Sequence, residues 1–155
     1  MISLVLYQPD IPQNTGTMLR LCACLGVEIH VIEPTGFDLS DRALRRAGMD
    51  YLAQVRTIRH LSWDNFMAWR AQSGRRLVLA TTKGAFAYPN FGFAEGDLIL
   101  MGRESAGVPD KVHETADARV TIPMIAGMRS LNVATAAAMI LGEALRQTGG
   151  FPQIG

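Results

Sequence analysis

The chain has 155 residues, of which 48% are hydrophobic and 19% charged, so it is long and apolar enough for a single domain, 1–155, with a real core, and its composition is neither fibrous nor disordered. A net charge of +1 does not by itself announce a nucleic-acid partner. The opening Met1-Ile2-Ser3-Leu4-Val5-Leu6 lacks the basic lead and small-residue cleavage site of a signal peptide, and no apolar run is long enough to span a bilayer, so a cytoplasmic protein is expected. Arginine greatly outnumbers lysine, which occurs only at Lys83 and Lys111; arginines cluster at Arg42, Arg45 and Arg46, at Arg56 and Arg59, and at Arg75 and Arg76. Arginine forks suit phosphate, although each cluster also reads as an ordinary solvated face.

In chain order, strand and helix patterns alternate. Ile2–Tyr7 is a buried-type strand, followed by the turn-rich Gln8 to Gly16. A helix from Thr17 to Leu25 stops at Gly26, and Val27–Ile32 is a second strand closed by Pro34. Ser40-Asp41 can cap a short helix through Arg46. Val55–Arg59 reads as a weaker third strand, Ser62 caps a helix from Trp63 to Gln72 that Gly74 ends, and Leu77–Thr81 is the next strand. Lys83 to Gly96 reads as a long ordered loop whose Phe86, Tyr88, Phe91 and Phe93 pack beneath it, with base stacking the lesser alternative.

Asp97–Met101 is a short apolar strand that stops at Gly102-Arg103-Glu104-Ser105-Ala106-Gly107-Val108-Pro109, where two glycines flank a carboxylate. Arg119–Met124 is a second strand-like run, ended by Pro123. Ser130 is a candidate N-cap for the clearest helix of the chain, with Ala134, Ala137, Ala138, Leu141, Ala144 and Leu145 at three- and four-residue intervals and Gly149-Gly150 as its stop. These patterns predict an α/β fold: a mostly parallel sheet with helices on both faces. The loops after the later strands fall beyond the carboxyl ends of the sheet, where α/β folds hold ligands.

Several chemistries are poorly supported. Cys22 and Cys24 point to different helix faces with no third cysteine to complete a metal set, and both read as small core residues. His30, His60 and His113 are scattered and read as structural. No Gly-x-Ser-x-Gly turn and no phosphate-binding Gly-x-x-x-x-Gly-Lys-Ser/Thr loop is present. Glu33 ends the second strand where a ribose-binding carboxylate would sit, but the turn after the first strand offers only Gly16 in place of the Gly-x-Gly-x-x-Gly of a nicotinamide or flavin enzyme. That turn instead presents Asn14 and, within the helix, Arg20, two polar groups suited to a common anion.

Three segments carry a resemblance: Pro12-Gln13-Asn14-Thr15-Gly16 with Arg20; Met101 to Pro109; and Ile122-Pro123-Met124 with Ser130-Leu131-Asn132-Val133-Ala134. In order and spacing they resemble the three motifs of the SPOUT class of RNA methyltransferases. Leu4–Tyr7, Ile32-Glu33-Pro34 with Gly36-Phe37, Leu44 to Tyr51 and Thr81-Thr82-Lys83-Gly84 extend the similarity to the short bacterial tRNA 2′-O-methyltransferases of the wobble ribose, the TrmL (YibK-like) branch.

The resemblance implies a carboxyl-terminal trefoil knot, an S-adenosylmethionine pocket, a homodimer, and a tRNA anticodon stem-loop as partner, with the wobble cytidine or modified uridine of leucine isoacceptors as target and no metal. By family position, Ala80, Thr81, Gly102, Glu104, Gly107, Ile122, Met124, Ser130 and Leu131 would hold the cofactor. Arg20 would stabilise the developing alkoxide, Asn14 would hold Arg20 or the RNA backbone, Glu104 would orient an arginine or act as acceptor, and Ser130 and Asn132 would fix the third motif. Arg42, Arg45, Arg46 and Lys83 are candidate phosphate contacts. Arg103 and Ala106 depart from what relatives often carry in the second motif. Methylation of another RNA, a non-catalytic RNA-binding role and, more distantly, a nucleotide-dependent oxidoreductase are the alternatives.

Overall fold

The computed structural model describes residues 1–38, 42, 54–84 and 86–155. Its order is β1 (Ser3–Tyr7), α1 (Pro12–Leu25), β2 (Glu28–Ile32), β3 (Thr57–His60), α2 (Trp63–Ser73), β4 (Leu77–Ala80), β5 (Phe86–Ala87), a 3₁₀ turn (Tyr88–Asn90), β6 (Leu98–Met101), α3 (Asp110–Thr115), β7 (Ala118–Thr121) and α4 (Val133–Thr148). The helix expected from Ser40-Asp41 to Arg46 lies, Arg42 apart, outside the described residues. The seven strands form one sheet in the order β3-β2-β1-β6-β4-β7-β5, and each pairing between them is parallel.

Strand pleating divides the core between two faces. Leu4, Leu6, Val78, Ile99 and Met101 join a cluster with Met18, Leu19 and Cys22 of α1 and Ala137, Ile140, Leu141 and Ala144 of α4. Val5, Tyr7, Leu77, Leu79, Leu98 and Leu100 pack on the other face with Trp63 and Phe66 of α2 and Val112 of α3. A strand covered on both sides cannot alternate apolar with polar, which is why β1 and β6 read as continuous apolar runs. Each fully buried leucine in them contributes about 1.5–3 kcal/mol relative to an exposed one.

Several boundaries differ from the sequence reading, each for a local reason. α1 begins five residues early, because Pro12 sits in its first turn, where its missing N–H costs nothing, and Asn14 and Gly16 are therefore helical. α4 is capped by Asn132, whose Oδ1 accepts from the amides of Ala134 (2.8 Å) and Thr135 (3.2 Å), and not by Ser130. Ala138 of that helix is exposed, and Ile140 takes the buried position instead. The segment expected as a loop from Lys83 to Gly96 contains β5 and the 3₁₀ turn; Phe91 and Phe93 are buried beneath it, while Phe86 is 52% exposed. α3, too short to show a period, went unexpected. Cys22 is buried, which pushes its thiol up to about 12, but Cys24 is exposed and not a core residue.

The arginine pair after α2 proves structural at the amino end of the sheet. Arg76 grips the buried Asp97 with Nε at 2.8 Å and a terminal nitrogen at 2.6 Å, and Arg75 donates to the carbonyls of Gly96 (2.7 Å) and Met1 (2.8 Å). Arg56 and Arg59 pair with Glu28 (2.9 Å) and Glu33 (2.7 Å), so Glu33 is an ion-pair partner here. His30 and His60 are buried and bonded to each other at 2.9 Å, as structural histidines should be.

Candidate cofactor cleft

The carboxyl ends of β4, β6 and β7 lie level, with Ala80 opposite both Met101 and Val120, and the loops that leave them enclose a cavity of about 580 Å³. Ala80, Thr81, Gly102, Glu104, Gly107, Ile122, Met124, Ser130 and Leu131 all line it, as do Asn14 and Asn132. Parallel strands bring these loops together because every strand ends at the same edge of the sheet.

The loop after β6 is a closed ring. Arg103 and Gly107 exchange both main-chain hydrogen bonds at 3.0 Å, and the Nε of Arg103 donates to the same Gly107 carbonyl, also at 3.0 Å. The ring leaves no room at Gly102, where a Cβ would lie 2.9 Å from the Cα of Gly107, and Gly107 itself turns with φ of 59°, a left-handed conformation. The guanidinium of Arg103 lies over the Tyr7 ring, 5.3 Å from its centroid, which fixes the outer wall of the loop. The bare backbone at Gly102 and Gly107 and the apolar Ile122, Met124 and Leu131 suit a flat, partly apolar nucleoside such as that of S-adenosylmethionine.

The first and third motifs meet at this cleft. Asn132 donates from Nδ2 to Asn14 Oδ1 at 2.9 Å, across 118 residues of sequence. Asn14 therefore holds Asn132, a partner that sequence reading did not assign to it. Arg20 lies on the exposed face of α1 with Gln13, Thr17 and Cys24, and is not among the residues lining the cavity of its own chain. Six helical positions place the Cα of Arg20 about 120° around the helix from that of Asn14.

Among the described residues, the charged side chains of the cavity are Arg103, Glu104 and Arg129. Arg129 was not foreseen; its only signal was its place just before Ser130-Leu131-Asn132. Asp10, also missed, comes from the β1–α1 connection to bond the second-motif loop: the Asp10 amide donates to Glu104 Oε2 at 3.1 Å and the Glu104 amide donates to Asp10 Oδ1 at 3.2 Å. Burial and the Asp10 side chain raise the carboxyl of Glu104 above its ordinary range, while the bond to Glu104 lowers Asp10. Of the expected phosphate contacts, Lys83 is exposed beside the cleft, its amide 3.1 Å from Thr81 Oγ1, and Arg42 is exposed; Arg45 and Arg46 lie outside the described residues. Among the described residues, no group of three His, Cys, Asp or Glu is placed to hold a metal ion, and no helix is long and apolar enough to cross a membrane.

Comparison with known proteins agrees with this architecture. The model of the SpoU rRNA Methylase family matches residues 1–142. A tRNA (cytidine(34)-2′-O)-methyltransferase of Beijerinckia indica subsp. indica is 64% identical over 97% of this chain and 94% of its own length, and that of Escherichia coli K12 is 39% identical over 96% and 95%. Among solved structures, one described as giving insight into 2-OH methylation of C/U34 on tRNA superposes with a TM-score of 0.90 at 41% identity, covering 95% of each chain. The SpoU methyltransferase AviRb of Streptomyces viridochromogenes, in complex with AdoMet, matches with a TM-score of 0.85 at 30% identity over 94% of this chain and 59% of its own. With most of its length matched by the family model and a relative almost two-thirds identical from end to end, this chain belongs to the SpoU methylase family.

Proposed function

We propose that this chain is a tRNA methyltransferase that places a methyl group from S-adenosylmethionine on the ribose 2′-hydroxyl of nucleotide 34, a cytidine or modified uridine, with leucine isoacceptors as its substrates. The observation that carries this reading is the junction of the three motifs at one cleft, tied by the Asn14–Asn132 bond. Relatives named for this reaction match over nearly their whole length, whereas the chain spans only 56% of an rRNA methyltransferase from Sinorhizobium meliloti, which favours a tRNA over a ribosomal substrate.

When bound, S-adenosylmethionine supplies a methyl group on a positively charged sulfur. Ile122, Met124 and Leu131 give the site apolar walls, and the exposed backbone at Gly102 and Gly107 allows close approach of a nucleoside. A ribose hydroxyl is a weak nucleophile, so the site must orient it and stabilise the charge that develops on its oxygen. Arg20 takes that role. A guanidinium stays protonated throughout the physiological range, which suits it to stabilise an alkoxide rather than to accept a proton.

Arg20 reaches a cleft from a second copy of the chain. A homodimer is supported by the exposed face of α1 that carries Arg20 and by exposed apolar side chains, Ile11 (39%) at the start of that helix and Met139 (38%) on α4, which packs against α1. The fold carries the trefoil knot of its class. Supporting this, β7 lies between β4 and β5, strands that the chain had already joined, with Gly84 packed on the β7 backbone so closely that a Cβ would sit 2.6 Å from Val120 C. Lys83 and Arg42 contact the anticodon-loop phosphates, and the enzyme works in the cytoplasm.

The test is methyl transfer from labelled S-adenosylmethionine to tRNA lacking its wobble ribose methylation, with the product nucleotide mapped by mass spectrometry. A 2′-O-methyl at position 34 is the expected result. Cofactor binding without transfer to tRNA, but with transfer to ribosomal RNA, would overturn the substrate.

A further inference from the structure

Two carboxyl groups 94 residues apart in sequence converge behind the cleft, and their hydrogen bonds are unequal. Both oxygens of Asp10 have donors: Oδ1 accepts from the Glu104 amide at 3.2 Å, and Oδ2 accepts from the hydroxyl of Ser105. Glu104 has one, the Asp10 amide on Oε2 at 3.1 Å, while its Oε1 is buried with no hydrogen-bond partner among the described residues. Asp10 is locked in this position, since the chain returns over it at Gly36, where even a Cβ would come within 2.8 Å of the Asp10 Cα.

A buried carboxylate oxygen without a donor is costly, and two ionised carboxylates in contact repel. One proton resolves both difficulties if it resides on Glu104: Asp10, with two donors, remains the anion, and Glu104 becomes a neutral acid that supplies its own hydrogen. Arg103 of the same loop is engaged with the Gly107 carbonyl and the Tyr7 ring, and Arg129, the other cationic side chain of the cavity wall, has no ion pair with either carboxyl.

We propose that Asp10 and Glu104 form a one-proton acid pair, and that Asp10 is a positioning residue which keeps Glu104 in the cleft wall as a neutral acid. The consequence for the reaction rests on the function proposed above. A neutral Glu104 removes one negative charge from the cleft wall, where a second carboxylate would repel the anionic RNA backbone. The pair titrates as a unit, so its last proton leaves above the ordinary carboxyl range.

Carbon-13 NMR of the labelled Glu104 side-chain carboxyl across a pH titration tests the pair without cofactor or RNA. In the wild type its midpoint should lie above that of an exposed glutamate; in Asp10→Asn, which keeps an acceptor oxygen but removes the charge, it should move to lower pH. The upper pH limit of single-turnover methyl transfer to tRNA should move down with it, and Asp10→Glu should restore it in part. A wild-type Glu104 that titrates like an exposed glutamate overturns the pair, even if Asp10→Asn does not fold, and a rate profile of Asp10→Asn that is lowered but unshifted overturns the positioning role. Wild-type protein that transfers no methyl to tRNA while Glu104 titrates high would instead count against the proposed reaction and leave the pair standing.

Discussion

Asn132 uses both ends of one amide: its Oδ1 caps α4 through the amides of Ala134 and Thr135, and its Nδ2 reaches Asn14 at 2.9 Å to tie that helix to α1. The same side chain therefore starts the helix of the third motif and fixes the first motif. Replacing a capping asparagine by alanine costs about 0.5–2 kcal/mol, so Asn132→Ala should lower unfolding stability by about that much and reduce methyl transfer as well. Asn14→Ala removes only the bond between the helices and should cost less stability while still impairing transfer. Urea melts and single-turnover assays on both variants check this. Equal stability losses would mean that the cap contributes nothing.

Gly102→Ala should weaken S-adenosylmethionine binding at least tenfold while the sheet still folds. An added methyl would lie 2.9 Å from the Cα and 3.0 Å from the carbonyl carbon of Gly107, backbone atoms that cannot swing aside as a side-chain tip would. The Arg103–Gly107 ring must open, and the cavity wall moves with it. Calorimetric titration with the cofactor, alongside circular dichroism, is the check; a collapsed fold with no separate binding defect would make Gly102 a purely structural glycine.

The sheet could be read from the sequence because strands buried on both faces leave unbroken apolar runs, as at Leu4–Tyr7 and Leu98–Met101. The cleft was legible through its loops, since glycine and proline mark where the chain must turn. Partners that depend on tertiary approach were not legible. Asp10 looks like a turn residue until Glu104 arrives from 94 positions away, and Ser130 seems as good a cap as Asn132 until the start of α4 is fixed by packing. Arg20 follows the same rule: its motif is visible in the sequence, but its direction is set by the helix that began at Pro12.

If Arg20 serves the cleft of a second copy, Arg20→Ala should lower transfer by about 10²–10³-fold, the usual loss when one stabilising donor to a developing oxyanion is removed, with S-adenosylmethionine affinity within twofold of wild type. Mixing Arg20→Ala with a cofactor-binding variant at Gly102 should then restore activity. Heterodimers would contain one intact cleft served by one intact arginine from the other chain. If the arginine serves its own cleft, the mixture stays inactive. Subunit exchange followed by a transfer assay separates the two arrangements, and a parallel loss of cofactor binding in Arg20→Ala would remove Arg20 from the reaction altogether.

The buried histidines make stability depend on pH in a defined direction. His30 is fully buried, bonded to His60 at 2.9 Å and to Glu28 Oε1 at 2.7 Å, and enclosed by Phe66 and Trp69. Burial is the main cause that takes it down to about 4, against the opposing pull of Glu28 and with a smaller contribution from His60 and Arg75. An unfolded chain would protonate this histidine near its ordinary value of about 6.5. Between about 6.5 and about 4 the unfolded state therefore binds a proton that the folded state refuses, so stability is complete above this window, falls as the pH drops through it and levels off below it. The loss is on the order of 3 kcal/mol if His30 acts alone. His30→Leu should flatten the pH dependence of the urea midpoint across this range, even though it leaves His60 without its partner and lowers stability at pH 7. A slope unchanged by His30→Leu would move the proton uptake to His60, whose imidazole burial also depresses.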